Sequence, residues 1–179
     1  MNKNQIETGK QRLHTRDIAV DVFRLPERKW EVFGVLKDVR AYESKLKTGV
    51  ILSAGEPLHQ MEVSFVLDET MTIVKAYSHT KASPYPGVCE KINPAYEKLI
   101  GMTIRGGFKK QLKSSLGGIQ GCSHITELIS SMAAVAVQAI APELPVAADK
   151  KPGKLDSCHA LSTKGNLVAE YYPKWSSPK

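Results

Sequence analysis

Residues 58–80, LHQMEVSFVLDETMTIVKAYSHT, hold two strand-like runs joined by a short polar turn. Met61, Val63, Phe65 and Leu67 alternate with Glu62 and Ser64, the pattern of a strand packed on one face and partly wet on the other. The turn DETM leads into TIVKAYSHT, which is again rich in β-branched and aromatic types. The two strands are predicted to pair as a hairpin. A hairpin with one apolar face must bury that face against another layer, so the fold class depends on what flanks it.

Upstream, DIAVDVFR (residues 17–24) alternates Ile18, Val20 and Val22 against Asp21, and LPERK turns the chain into WEVFGVLKDVRAY (residues 30–42). Trp30, Val32, Gly34 and Leu36 share one face of that second strand. Residues 43–57 read as a connection with a short apolar patch at Val50 to Leu52. Downstream, the chain leaves the sheet through Pro84, Pro86 and Gly87. Asn93 and Pro94 then open a short helix that stops at Gly101. Phe108, Leu112 and Leu116 are four apart, which predicts a short basic amphipathic helix carrying Lys109, Lys110 and Lys113. Ser123 can cap a long helix that runs to about Ala141 and stops before Pro142. Its apolar residues, from Ile125 and Leu128 to Val137 and Ile140, lie on most faces, so it is central.

The predicted fold is therefore α+β: an antiparallel sheet of about four strands packed against two or three helices. Residues 1–15 read as a mobile polar lead and 16–141 as the domain. Residues 142–154 form a Pro/Lys linker, and 155–179 a C-terminal hairpin and tail on the same domain, turning at Lys164 and Gly165. No run of about 18 apolar residues occurs, which argues against a membrane span. The polar start MNKNQIETGK lacks the apolar core of a secretory signal. With three widely spaced cysteines, an odd count, free thiols or metal ligands in a reducing cytoplasm are the expectation. The net charge of +7 permits acidic partners, but no RNA-binding signature accompanies RGGF at residues 105–108. Nucleic acid is therefore not expected as a partner.

The groups that can do chemistry concentrate around GGIQGCSHITEL (residues 117–128). A thiol and an imidazole two positions apart, Cys122 and His124, stand where a glycine-rich loop meets the long helix. The positive end of a helix favours a thiolate. His59 opens the third strand and Cys89 follows the fourth. If the long helix starts at that end of the sheet, His59, Cys89, Cys122 and His124 meet as a mixed Cys/His metal site for zinc or iron, acting on a small organic substrate. Two alternatives stand beside it. Cys122 can act as a metal-free nucleophile with His124 as its base, though no third residue that would orient the imidazole is visible. The chain can also be a non-catalytic module whose basic helix meets an acidic partner. Asp38 and Arg40 read as a solvated edge or local ion pair, and Glu127 as an acid favoured by the helix dipole. Cys158 and His159 are adjacent and would point to opposite faces of a strand, so they do not serve one metal together.

The order of LHQMEVSFVLD, the PGVC loop, LIGMTIRGGF, GCSHITEL and DSCHAL resembles a bacterial family known as domain of unknown function 2889, over about residues 15–165. More remotely, the chain is similar to iron–sulfur scaffolds of the NifU/IscU type. Met61 and His59 match a strand-opening pattern, Cys89 falls near a middle cysteine, and Cys122-Ser123 matches a Cys-Ser helix start. Pro57 and Gly121 stand where that pattern has a cysteine and a histidine, while His124 is an addition. The resemblance thus implies a mixed Cys/His site suited to zinc or iron.

Overall fold

The structure, a computed structural model, describes residues 9–145 and 149–177. Four long strands form one antiparallel sheet: β1 (His14–Leu25), β2 (Lys29–Arg40), β5 (Pro57–Leu67) and β6 (Ile73–Ala82), in the order β1-β2-β5-β6. Two short strands, β3 (Ser44–Lys45) and β4 (Ile51–Leu52), pair with each other in the connection between β2 and β5. Among the described residues the α-helices are α1 (Phe108–Leu116), α2 (Ser123–Ile140) and α3 (Asn166–Tyr171). The fold is α+β, as the alternation of residues 58–80 predicts.

Period-two alternation explains which face is packed. On β2, Trp30, Val32 and Leu36 are buried, and on β5 Met61, Val63, Phe65 and Leu67 are too. The helix α2 lies against β1, β2 and β5. Its Ile125, Leu128, Ile129, Met132 and Ala136 close the core from the other side. Gly34 marks the point of closest approach: a Cβ there would fall 2.7 Å from Met132 Sδ and 3.1 Å from Leu128 Cδ1. By length and mean hydropathy, residues Ser123–Glu143 would suffice to cross a membrane. The side that faces the sheet is buried, and this helix is the central one its all-round apolar pattern predicts. Phe108, Leu112 and Leu116 bury one side of α1, leaving Lys109, Lys110 and Lys113 exposed.

Several boundaries differ from the sequence expectation. β1 begins at His14, not at residue 17, because His14, Thr15 and Arg16 pair with Arg40, Val39 and Asp38 of β2. Of the predicted mobile lead, residues 1–8 lie outside the described residues. The short helix before Gly101 is a 3-10 run, Cys89–Leu99, with Pro94 inside it; Gly101 itself adopts the left-handed φ of +87° that a stop glycine allows.

The chain divides into two compact units between Pro142 and Glu143. Among the described residues the predicted C-terminal hairpin is not formed. The second unit consists of 3-10 turns at His159–Leu161 and Pro173–Trp175 flanking α3. The reason is local. Asp156 accepts hydrogen bonds from the Thr163 backbone N–H and hydroxyl, closing a compact loop instead of a ladder. Gly165 then caps α3, and Pro173 has no N–H to give a sheet. Residues 146–148 of the predicted linker lie outside the described residues.

Candidate functional site

At one end of the sheet, the packed face turns polar. The β1–β2–β5 register sets Arg16 opposite Asp38 and Asp38 opposite His59, one row across three strands. Each residue continues an apolar stripe by two positions: Ile18 to Arg16, Leu36 to Asp38, Met61 to His59. The β2–β5 register shifts between Asp38 and Val39, so the row sits beside a bulge. The start of α2 closes over this end and brings His124 onto His59, with ring centroids 3.8 Å apart and planes inclined by 29°.

Asp38 is the hub. Its side chain is 1% exposed, yet Arg16 and three imidazoles face it. Arg16 grips it with two parallel bonds, Nε to Oδ1 at 2.7 Å and Nη2 to Oδ2 at 2.8 Å, the fork geometry that suits a carboxylate. His14 Nε2 lies 3.4 Å from Oδ1, His59 Nδ1 3.1 Å from Oδ2, and His124 Nε2 3.6 Å from Oδ2. The remaining arm of Arg16, Nη1, reaches Glu127 Oε2 at 2.5 Å.

These contacts set the charges. Burial alone would push the Asp38 carboxyl up, but the Arg16 hydrogen bonds and charge outweigh it and hold the carboxyl at about 2. Asp38 raises the Arg16 guanidinium further above its already high value, against the opposing effect of burial. Burial, with the neighbouring His124, depresses His59 to about 4, more than Asp38 can offset. Burial likewise lowers His124. At neutral pH the cluster is therefore an ionised carboxylate beside two neutral imidazoles, which have lone pairs to offer.

One ligand atom each from Asp38, His59 and His124 lies within 4.8 Å of the others, the one group of three such residues among the described residues. Metal bonds of about 2.0 to 2.2 Å place ligand atoms roughly 3 to 4 Å apart, so the two measured edges at Asp38 suit one ion. The set can also move protons, since a carboxylate oriented on an imidazole is the usual support for a base.

Of the four residues the sequence singled out, His59 and His124 come together. Cys122 stands beside them, its Sγ 3.7 Å from His124 Nδ1, but outside the group of three. Cys89 opens the 3-10 run, its N–H bonded to the Tyr85 carbonyl, and belongs to no such group. Cys158 and His159 belong to the second unit. Asp38 pairs with Arg16 and not with Arg40, and it is buried, not a solvated edge. The one sequence signal for Arg16 and Asp38 is that each continues an apolar stripe by two positions. Glu127, read as a dipole partner, instead bonds Arg16.

The loop before α2 is fixed by Tyr96, whose buried hydroxyl accepts the Cys122 N–H at 2.8 Å and donates to the Cys122 carbonyl at 2.9 Å. Gly121 admits this approach: a Cβ there would fall 2.1 Å from the Leu116 carbonyl oxygen and 3.1 Å from the Tyr96 hydroxyl.

A family model described as Protein of unknown function (DUF2889) matches residues 14–138. The chain belongs to that family. The DUF2889 match starts at His14, at the rim of the cluster, and ends in the last turn of α2, so every site residue named above lies within it. It stops short of DSCHAL, which the sequence resemblance had included. No curated protein and no solved structure matches the chain.

Proposed function

We propose that this DUF2889 protein binds one divalent transition metal through Asp38, His59 and His124 and uses it on a small organic substrate. The observation that carries the reading is the convergence of two uncharged imidazoles and one ionised carboxylate on a single point at the end of the core. Two imidazoles and a carboxylate suit zinc or ferrous iron. Bound there, the ion would supply Lewis-acid catalysis or an activated water. The chain's own residues have separate tasks. Arg16 keeps Asp38 ionised and fixes its rotamer, as outer groups commonly do around metal ligands. The rigid sheet row and the helix start hold the two imidazoles. Likeness to an iron–sulfur scaffold adds nothing to this reading, because the grouped atoms are imidazole and carboxylate and not a set of thiols.

The test is metal analysis of protein purified without an affinity tag. About one zinc or iron per chain is expected, lost in His59→Ala and in His124→Ala and retained in Cys89→Ala. Protein that takes up neither metal from solution, and whose unfolding a chelator leaves unchanged, would overturn the proposal.

A separate observation favours a second reading. His124 stands between Cys122 and Asp38, with Sγ to Nδ1 at 3.7 Å and Nε2 to Oδ2 at 3.6 Å. Asp38 is the orienting third group that a thiol nucleophile needs. Under this reading a metal-free protein is alkylated fastest at Cys122, and Asp38→Asn slows that reaction. Under the metal reading, zinc bound at His124 takes that imidazole away from Cys122, so the alkylation rate depends on whether metal is present.

A further inference from the structure

Arg16 has three nitrogens, and each meets an acid. Two of them hold Asp38 and the third holds Glu127. The two acids are unlike. Asp38 is buried and takes two parallel bonds, so parting it from Arg16 would strand a desolvated charge. Glu127 stands one turn into α2 with about half its side chain in water and takes one bond. An exposed pair of that kind is worth little, because water screens the attraction and holding two long side chains together costs entropy. The Nη1 arm is therefore a cationic hydrogen-bond donor that a carboxylate from solution can take over. It is also close to the chemistry, since Arg16 Nη2, His59 and His124 all face the same Asp38 Oδ2.

We infer that Arg16 Nη1 is the recognition point for the carboxylate of a small organic acid, which displaces Glu127 and stands beside the Asp38–His59–His124 cluster. Glu127 holds the place of the substrate carboxylate while the site is empty of it. The inference deepens the metal reading and rests on it for the chemistry that follows binding. The binding itself needs only the Arg16 Nη1 arm, freed from Glu127.

The test uses acetate as the probe and acetamide, of equal size and no charge, as its match. Both are titrated into the full chain, zinc-loaded and metal-free, with the Arg16 Nε–Hε signal as the NMR readout. Zinc content is measured first for each variant. Acetate is expected to shift that signal and acetamide to leave it. Glu127→Gln should tighten acetate roughly two- to fivefold, the weight of an exposed ion pair. Arg16→Gln, followed through the Glu127 backbone amide because the guanidinium signal is gone, should remove the acetate response. An unchanged acetate affinity in Glu127→Gln, or equal responses to acetate and acetamide, overturns the inference. If no zinc binds, the metal reading fails, and the metal-free titration alone decides this one: a Glu127→Gln response upholds it and none overturns it.

Discussion

Asp38 stands directly across from His59 in the β2–β5 register, and its Oδ2 lies 3.1 Å from His59 Nδ1. A buried carboxylate in that position is kept charged by Arg16 on its other side. Asp38→Asn should therefore do more than remove one bond. The amide nitrogen cannot accept from Arg16 or from an imidazole N–H, and the guanidinium loses its buried counter-charge, keeping only the half-exposed Glu127. Because Arg16 keeps about a third of its side chain in water, the expected loss is about 2 kcal/mol, below that for a fully buried pair. Urea unfolding with an unchanged slope measures it. A variant as stable as the parent would show that the carboxylate does not organise this end of the sheet.

The imidazoles predict a pH dependence of the metal-free protein. His59 titrates at about 4 in the folded chain, below the ordinary histidine value near 6.5 of an unfolded one, and burial lowers His124 in the same direction. Between those values the unfolded chain binds protons that the folded one refuses, so stability is full above about 6.5 and falls as the pH drops toward 4. The His59 part is on the order of 3 kcal/mol. Chelator-treated protein should lose melting temperature between pH 6.5 and 4.5, before most carboxylates titrate. His59→Gln should flatten that slope. Equal slopes in the two proteins would place the pH dependence elsewhere.

Much of this architecture could be read directly. Alternation in residues 58–80 and 30–36 identified the sheet, its packed face and two of its strand pairings, and the all-round apolar pattern of 125–140 identified the helix on it. The centre of the site was harder to read because its residues break the rule that defines the packed face. Asp38 has the parity of a buried position and the chemistry of an exposed one, and Arg16 lies ahead of residue 17, where the alternation of the first strand becomes legible. A buried charge makes sense only with its partners, which lie 22 and 21 residues away at Arg16 and His59, so no local window contains the reason. Cys89 attracted attention by type alone. Its loop runs into a 3-10 helix along β6, and backbone hydrogen bonds set that path.

Two glycines test how closely the site end is built. Gly34→Ala places a Cβ against Met132 and Leu128, flexible side chains that can shift, at a cost of about 1 to 3 kcal/mol. Gly121→Ala places one 2.1 Å from the backbone carbonyl of Leu116, which cannot move without α1. Thermal unfolding should rank Gly121→Ala as the more destabilised of the two. The reverse order would mean that the loop before α2 adapts more readily than the core.

Tyr96 offers the sharpest separation between the fold and the helix start. Its ring is fully buried, and its hydroxyl takes the Cys122 N–H and lies 3.1 Å from the Thr126 hydroxyl. Tyr96→Phe keeps the ring's packing and leaves that N–H without its acceptor, a loss of about 1 to 3 kcal/mol. If the loss falls on local opening at residues 121–124, opening there rises roughly tenfold for each 1.4 kcal/mol, and Cys122 alkylation by iodoacetamide accelerates with it. Peptide mapping separates Cys122 from Cys89 and Cys158, whose rates should not change. Lower global stability with an unchanged Cys122 rate would show that the hydroxyl supports the domain as a whole and not the start of α2, which would then owe its position to the packing of His124 on His59.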